Sequence, residues 1–289
     1  MRSEKEILDL ILNTARDDYR IRAVMMNGSR ANPNAPKDIF QDFDIIYFVT
    51  EPDPFTLDHT WINRFGELMI LQMPDTMGAP PPGNNPGFTY LMQFMDGNRI
   101  DLNIFPIDHL NDLEKDSLSL VLLDKDNLFH PLAPPSESDY LPIHPTAKAF
   151  ADCCNEFWWV SPYVAKGLWR EEITYAKFML DQVVRDQLME MLNWYVGVRT
   201  GFSRNPGKFG KYLQHYIEPE LWDMLQKTYS DAGYAATWEA LDVICALFRI
   251  TAVRVAAHFD FEYPHGDDER VSAHLHHVRF LPKNAKTLY

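Results

Sequence analysis

The sequence predicts an α/β (α+β) N-terminal domain, a mixed sheet with flanking helices, followed by an all-helical C-terminal domain. Up to about residue 124 the apolar residues fall in short runs rich in β-branched and aromatic side chains, bounded by Gly, Pro, Asn and Asp. Pro131, Pro134, Pro135, Pro142 and Pro145 then interrupt the chain. A linker there sets the domains at 1–135 and 146–289. From about 146 onward the apolar residues recur at helical spacing in long segments, the pattern of a helical bundle. A chain of 289 residues is long enough for two domains of ordinary size.

The elements follow in order. Ile7, Leu8, Ile11 and Ala15 line one face of a helix over roughly 4–18. Residues 21–26 (IRAVMM) read as a strand that ends at Asn27-Gly28-Ser29-Arg30, and a polar loop, 31–41, carries Pro33 and Pro36. Residues 43–49 (FDIIYFV) read as a buried strand, 58–66 as a short helix and 67–73 as a strand. The stretch 78–87 (GAPPPGNNPG) is a loop by composition. FTYLMQFM (88–95) and RIDLNIF (99–105) flank Asp96-Gly97-Asn98, a hairpin signal. A helix over 108–116 and a strand over 119–123 complete this half. Helices are expected over 146–167, 170–200, 208–229 and 234–259, punctuated by Pro162, Pro206 and Pro219. The tail, 264–289, carries His265, His274, His276 and His277 at spacings that match no strong metal pattern, and reads as a loosely packed terminal segment.

Composition narrows the function classes. Apolar residues make up 46% and charged residues 24%, which excludes a disordered or collagen-like chain. No run of about 18 apolar residues exists to span a membrane. The opening MRSEKEILDL lacks the apolar stretch of a secretory signal. Cys153, Cys154 and Cys245 are too few for a disulfide framework, so a reduced, cytoplasmic chain is expected. The net charge of −14 and the lack of a basic run argue against a nucleic-acid partner. An acidic surface attracts cations, or it serves solubility alone.

The chemistry-bearing block is Gly28-Ser29, then a loop, then Asp42-Phe43-Asp44, with Asp101 on the later hairpin strand. Side chains alternate along a strand, so Asp42 and Asp44 share a face while Phe43 and Ile45 point into a core. Asp101 and Asn103 likewise share a face, opposite Leu102 and Ile104. Neighbouring carboxylates repel, and a divalent cation with hard oxygen ligands, magnesium above all, relieves that cost. An aspartate inside an otherwise apolar strand is costly without a partner. If the two strands are adjacent, three carboxylates converge, and one of them could also accept a proton from a hydroxyl. Gly28 permits close approach to a phosphate, Ser29 offers a hydroxyl and an N–H, and Arg30 could add charge-assisted hydrogen bonds.

The order strand, Gly-Ser, loop, Asp-x-Asp strand, third Asp strand resembles the nucleotidyltransferase superfamily of polymerase-beta-like fold. VMMNGSRANPNAPKDIFQDFDIIYFV, DGNRIDLNIFPI, LVLLDKD and CCNEFWWVSPYVAKGLWREE are similar to the aminoglycoside 6-adenylyltransferases, the streptomycin-modifying group associated with antibiotic resistance. The resemblance runs from residue 1 to about 262 and fades in the His-rich tail. It implies ATP-dependent transfer of AMP to the 6-hydroxyl of streptomycin, with pyrophosphate leaving. By position, Gly28 and Ser29 would hold the terminal phosphates and Asp42 and Asp44 would bind Mg2+. Asp101 would complete the metal site or act as general base.

The helical half is then expected to supply the other wall of the cleft. Lys166 would meet the triphosphate, or its stem covers apolar surface while its amine reaches water. Lys208 and Lys211 are further phosphate candidates. A receptor for a drug with two guanidinium groups should be acidic and aromatic, which singles out Glu156, Glu171, Glu172 and Asp181. Trp158, Trp159, Trp169 and Tyr175 would flank them or belong to the core. Transfer of AMP to a different small-molecule or protein hydroxyl is the alternative within enzymes. A silent nucleotide-binding relative is the alternative outside them, and the intact Asp42, Asp44 and Asp101 argue against it.

Overall fold

The computed structural model describes residues 1–78, 86–129 and 131–289. Most of the proline-rich stretch expected as a loop at 78–87 therefore lies outside the described residues. The chain divides into two units, Met1–Asp139 and Tyr140–Tyr289.

The first unit opens with α1 (Glu4–Asp17), started by a capping box in which the Ser3 side chain accepts from the Glu6 N–H while Glu6 reaches back to Ser3. The helix buries Ile7, Ile11 and Ala15. β1 (Ile21–Asn27) runs directly into α2 (Gly28–Ala31), a single turn that takes in Ala31, the first residue of the stretch expected as loop. β2 (Phe43–Val49), α3 (Asp53–Thr56), a 3₁₀ segment (His59–Phe65), β3 (Leu68–Gln72), β4 (Phe88–Phe94), β5 (Arg99–Pro106) and β6 (Leu120–Asp124) follow. The strand order is β3-β4-β5-β2-β1-β6. β2 and β5 pair in parallel at the centre of the sheet, and the other pairings are antiparallel, so the sheet is mixed. The helix expected over 108–116 is a 3₁₀ segment, Ile107–Asp112, in which His109 departs from helical geometry.

The two faces of this sheet carry different loads. Phe43, Ile45, Tyr47, Tyr90, Ile100, Leu102 and Ile104 pack with Ile7, Ile11 and Ala15 of α1 into one core. The Tyr47 hydroxyl donates to the Ile11 carbonyl at 2.6 Å and ties the helix to the sheet. On the opposite face Ala23, Met25, Phe48 and Phe105 form a smaller cluster. It covers the later residues of β2 and β5, and the residues that begin those strands are left for chemistry.

The second unit is helical: α4 (Ala147–Trp169), α5 (Ile173–Phe178), a π turn (Met179–Val184), α6 (Arg185–Thr200), α7 (Pro219–Lys227), α8 (Tyr234–Phe259) and α9 (His265–Phe280). The segment expected at 170–200 starts later, because Glu171 is left-handed at φ 62°. The segment expected at 208–229 is shorter still. Gly207, Phe209 and Gly210 all have positive φ, so only 3₁₀ turns form before Pro219 starts α7. The tail is not loose. Its α9 carries Asp268, 3% exposed, held by Arg249, Tyr263 and Ser272, and it buries Leu275 and Val278. Among the described residues no helix is long and apolar enough to cross a membrane.

Candidate active site

The central pairings bring the sequence-predicted acids together. Asn27 of β1 lies opposite Asp44 of β2, and Asp44 lies opposite Asp101 of β5, so the three occupy one row across adjacent strands. Asp42 stands two residues before Asp44, at the mouth of β2. Alternation does the sorting: Phe43, Ile45, Leu102 and Ile104 are at most 1% exposed, and the acids point the other way. The Gly-Ser turn closes directly on this row. Gly28 has φ +71°, and a Cβ built on it would fall 2.2 Å from Asp44 Oδ2. Only glycine suits both the backbone and the contact. The Ser29 carbonyl accepts from Gln41 at 3.1 Å, which anchors the turn to the chain just before β2.

Burial, then the charges of Asp101 and Asp42, push the Asp44 carboxyl up to about 6. Burial also raises Asp42, against the opposing pull of Arg99. Arg99 was not anticipated from sequence. Its Nε and Nη2 donate to the two oxygens of Asp101 at 2.7 Å each, and its Nε lies 3.6 Å from Asp42 Oδ2. Position was the available signal, since residues i and i+2 of a strand share a face. Arg30, expected to contact phosphate, is placed otherwise. Its guanidinium donates to the carbonyls of Asp42 at 3.0 Å and Gln41 at 2.8 Å and covers the Phe43 ring at 3.7 Å. It clamps the start of β2 through Nε and Nη2, while its Nη1 lies 3.6 Å from Glu4 Oε2.

The donor set fits a hard divalent cation. It is all oxygen: three carboxylates, with the buried and unpartnered Oδ1 atoms of Asn27 and Asn103 beside them. As the side chains stand, no three His, Cys, Asp or Glu among the described residues are arranged to hold an ion. Arg99 instead holds both oxygens of Asp101.

In the helical unit the expected groups do not form one cluster. Glu171 and Glu172 share the turn between α4 and α5. There Glu171 pairs with Lys283 at 3.1 Å, and its carbonyl accepts from Tyr234. Tyr175 packs on Gly167. Glu156 is on the exposed side of α4. Asp181 is already neutralised, by Lys177 at 3.0 Å and Arg185 at 3.3 Å. Trp158 is core at 2% exposure, Trp159 is 64% exposed, and the Trp169 indole donates to the Leu281 carbonyl. Lys166 lies 4.7 Å from the Tyr163 ring centroid and lines a cavity with Arg170, His274 and Lys286. Lys208 and Lys211 flank the exposed Phe209 and lie near aromatic rings of their own turn.

Comparison with known proteins identifies relatives along most of the chain. The family model described as streptomycin adenylyltransferase matches residues 1–278, so the likeness extends through most of α9, past the point near 262 where the sequence alone lost it. An aminoglycoside 6-adenylyltransferase of Campylobacter jejuni is 43% identical over 270 residues, covering 93% of each chain. One of Bacillus subtilis (strain 168) is 41% identical over 270 residues, covering 93% of this chain and 95% of that protein. A crystal structure of an aminoglycoside 6-adenyltransferase from Bacillus subtilis shares 36% identity, covering 97% of this chain and all of that one, with a TM-score of 0.48. With the Gly-Ser turn set against paired strand aspartates and relatives of this identity along nearly its full length, the chain is a nucleotidyltransferase and belongs to the streptomycin adenylyltransferase family.

Proposed function

We propose that the protein transfers AMP from ATP to a hydroxyl of an aminoglycoside, the 6-position of streptomycin, and releases pyrophosphate. The observation that carries the reading is the in-register pair Asp44 and Asp101 beside the Gly28-Ser29 turn. Asp42, Asp44 and Asp101 would hold Mg2+, which when bound neutralises charge on the phosphates and the leaving pyrophosphate. Gly28 would let the backbone approach a phosphate, and Ser29 would offer it a hydroxyl and an N–H. The acceptor oxygen bonds to the α-phosphorus as the bond to the bridging oxygen breaks. The hydroxyl proton goes to a carboxylate of the cluster, with Asp101 proposed for that role or for the metal. Asp101→Asn separates the two: lost metal binding marks a ligand, and retained metal binding with lost turnover marks the base. Glu156, Glu171 and Glu172, with Tyr175, are the proposed readers of the cationic acceptor, and the net charge of −14 favours its approach.

The test is incubation with ATP, Mg2+ and streptomycin, followed by mass spectrometry for AMP-streptomycin and an assay for pyrophosphate. Product from another acceptor but none from streptomycin would overturn the specificity. Asp42→Asn should cut turnover by about three orders of magnitude with an unchanged circular-dichroism spectrum. Activity within a few fold of the parent would overturn the metal assignment.

A further inference from the structure

The acid cluster contains a cation of its own. Both oxygens of Asp101 accept from the Arg99 fork at 2.7 Å, and the same guanidinium approaches Asp42 at 3.6 Å. Asp44 lies opposite Asp101 in the register of β2 and β5, and among the described residues its carboxylate has no hydrogen bond or ion pair. The other nearby guanidinium, Arg30, is fixed to two backbone carbonyls. Among the described residues, Arg99 is therefore the side chain at the cluster that combines positive charge with freedom to leave. Its own side chain is 40% exposed.

We propose that Arg99 is an exchangeable counter-ion, paired with Asp101 in the nucleotide-free protein and passed to the triphosphate when metal and nucleotide bind. The inference rests on the reading that Asp42, Asp44 and Asp101 hold a divalent cation. A bidentate fork engages both carboxylate oxygens, so a cation that takes Asp101 as a ligand breaks at least one of its two hydrogen bonds. The released guanidinium stays tethered two residues from Asp101 on the same strand face, where its donors meet phosphate oxygens in the geometry for which arginine is suited. The exchange keeps Asp101 and Arg99 each paired. The acids trade a guanidinium for a metal ion, and the guanidinium trades a carboxylate for a phosphate. Metal alone must compete with Arg99, whereas metal with nucleotide gives Arg99 a new partner, so the two should bind with positive coupling.

The experiment titrates Mn2+ without nucleotide, reading free Mn2+ by electron paramagnetic resonance, in the parent, Arg99→Gln, Arg99→Lys and Asp44→Asn. A second arm measures ATP affinity at saturating Mg2+ by calorimetry. Arg99→Gln should bind Mn2+ about tenfold more tightly and ATP about tenfold more weakly. Arg99→Lys keeps the charge but loses the fork, and should also tighten Mn2+. Parent-like Mn2+ affinity in Arg99→Lys, with tightening only in Arg99→Gln, would reduce the effect to charge repulsion and overturn the exchange. Unchanged ATP affinity in Arg99→Gln would overturn the transfer to phosphate. Asp44→Asn serves as the separate control. If it binds Mn2+ as the parent does, the metal reading itself fails; if it loses binding while both Arg99 variants match the parent, only the Arg99 proposal fails.

Discussion

Replacing Asp44 by Asn should make the metal-free protein more stable at pH 8 while removing its activity. Burial and the charges of Asp101 and Asp42 hold the Asp44 carboxyl at about 6, against an ordinary value of 3.8. A group whose pKa is raised by folding favours the native state below its unfolded value and loses that contribution as pH rises through the folded one. Above pH 6 the buried charge is therefore a cost. Two pKa units at 1.36 kcal/mol each come to about 3 kcal/mol at pH 8, shrinking below about 1 kcal/mol at pH 4. Asn keeps the shape and removes the charge. The assay is urea unfolding of parent and Asp44→Asn in EDTA at both pH values, with turnover measured separately. A variant no more stable than the parent at pH 8, or a stability gain equal at pH 4 and pH 8, would refute the claim that an uncompensated carboxylate strains the row.

Gly28→Ala places a Cβ 2.2 Å from Asp44 Oδ2 in a left-handed backbone, and should cost about 1–2 kcal/mol together with most of the activity; an unchanged unfolding midpoint would contradict the close-contact account. Asp268→Asn should loosen α9 and cost about 2–3 kcal/mol, less than a fully buried pair because Arg249 is 40% exposed. Burial works against the Asp268 charge, but hydrogen bonds from Arg249, Tyr263 and Ser272 outweigh it and hold the carboxyl below its usual range. Its contribution is thus present above about pH 4 and is lost as pH falls further, which hydrogen exchange along α9 would read. Glu171→Gln and Glu172→Gln should raise the KM for the acceptor more than that for ATP, and equal effects on both would count against acceptor recognition by this turn.

Strand β2 and helix α8 fall on the residues the sequence predicted, 43–49 and 234–259, because long unbroken β-branched or apolar runs leave one solution. The acids were legible for a related reason, since an aspartate inside FDIIYFV or RIDLNIF has no structural excuse. Their meeting was not, because the parallel pairing of β2 with β5 depends on how the chain crosses over through β3 and β4. Arg99 was passed over because it reads as an ordinary polar residue at a strand start. Helix α9 was missed because Val271, Leu275 and Val278 give too thin an apolar stripe. What fastens it is the link from Asp268 to Arg249, 19 residues away on α8.

Asp44, Asp268 and Asp181 show what separates a working carboxylate from a structural one. All three are at least partly buried, so burial alone does not tell them apart. Asp268 accepts from Arg249, Tyr263 and Ser272, and Asp181 lies between Lys177 and Arg185. Those partners hold their charges in place, and removing any partner costs the fold. Asp44 has no hydrogen-bonded partner among the described residues, and burial with the charges of Asp101 and Asp42 outweighs the pull of Arg99, so the fold bears its charge at a cost. Folding alone would discard such a residue, because an apolar or amide side chain of the same size fits β2 better. Its persistence needs a ligand that supplies the missing positive charge, which a divalent cation bound with a nucleotide does. The same logic explains why Arg99 pairs with Asp101 rather than Asp44: one acid in the row is kept satisfied until the ligand arrives, and the other keeps the site attractive to it.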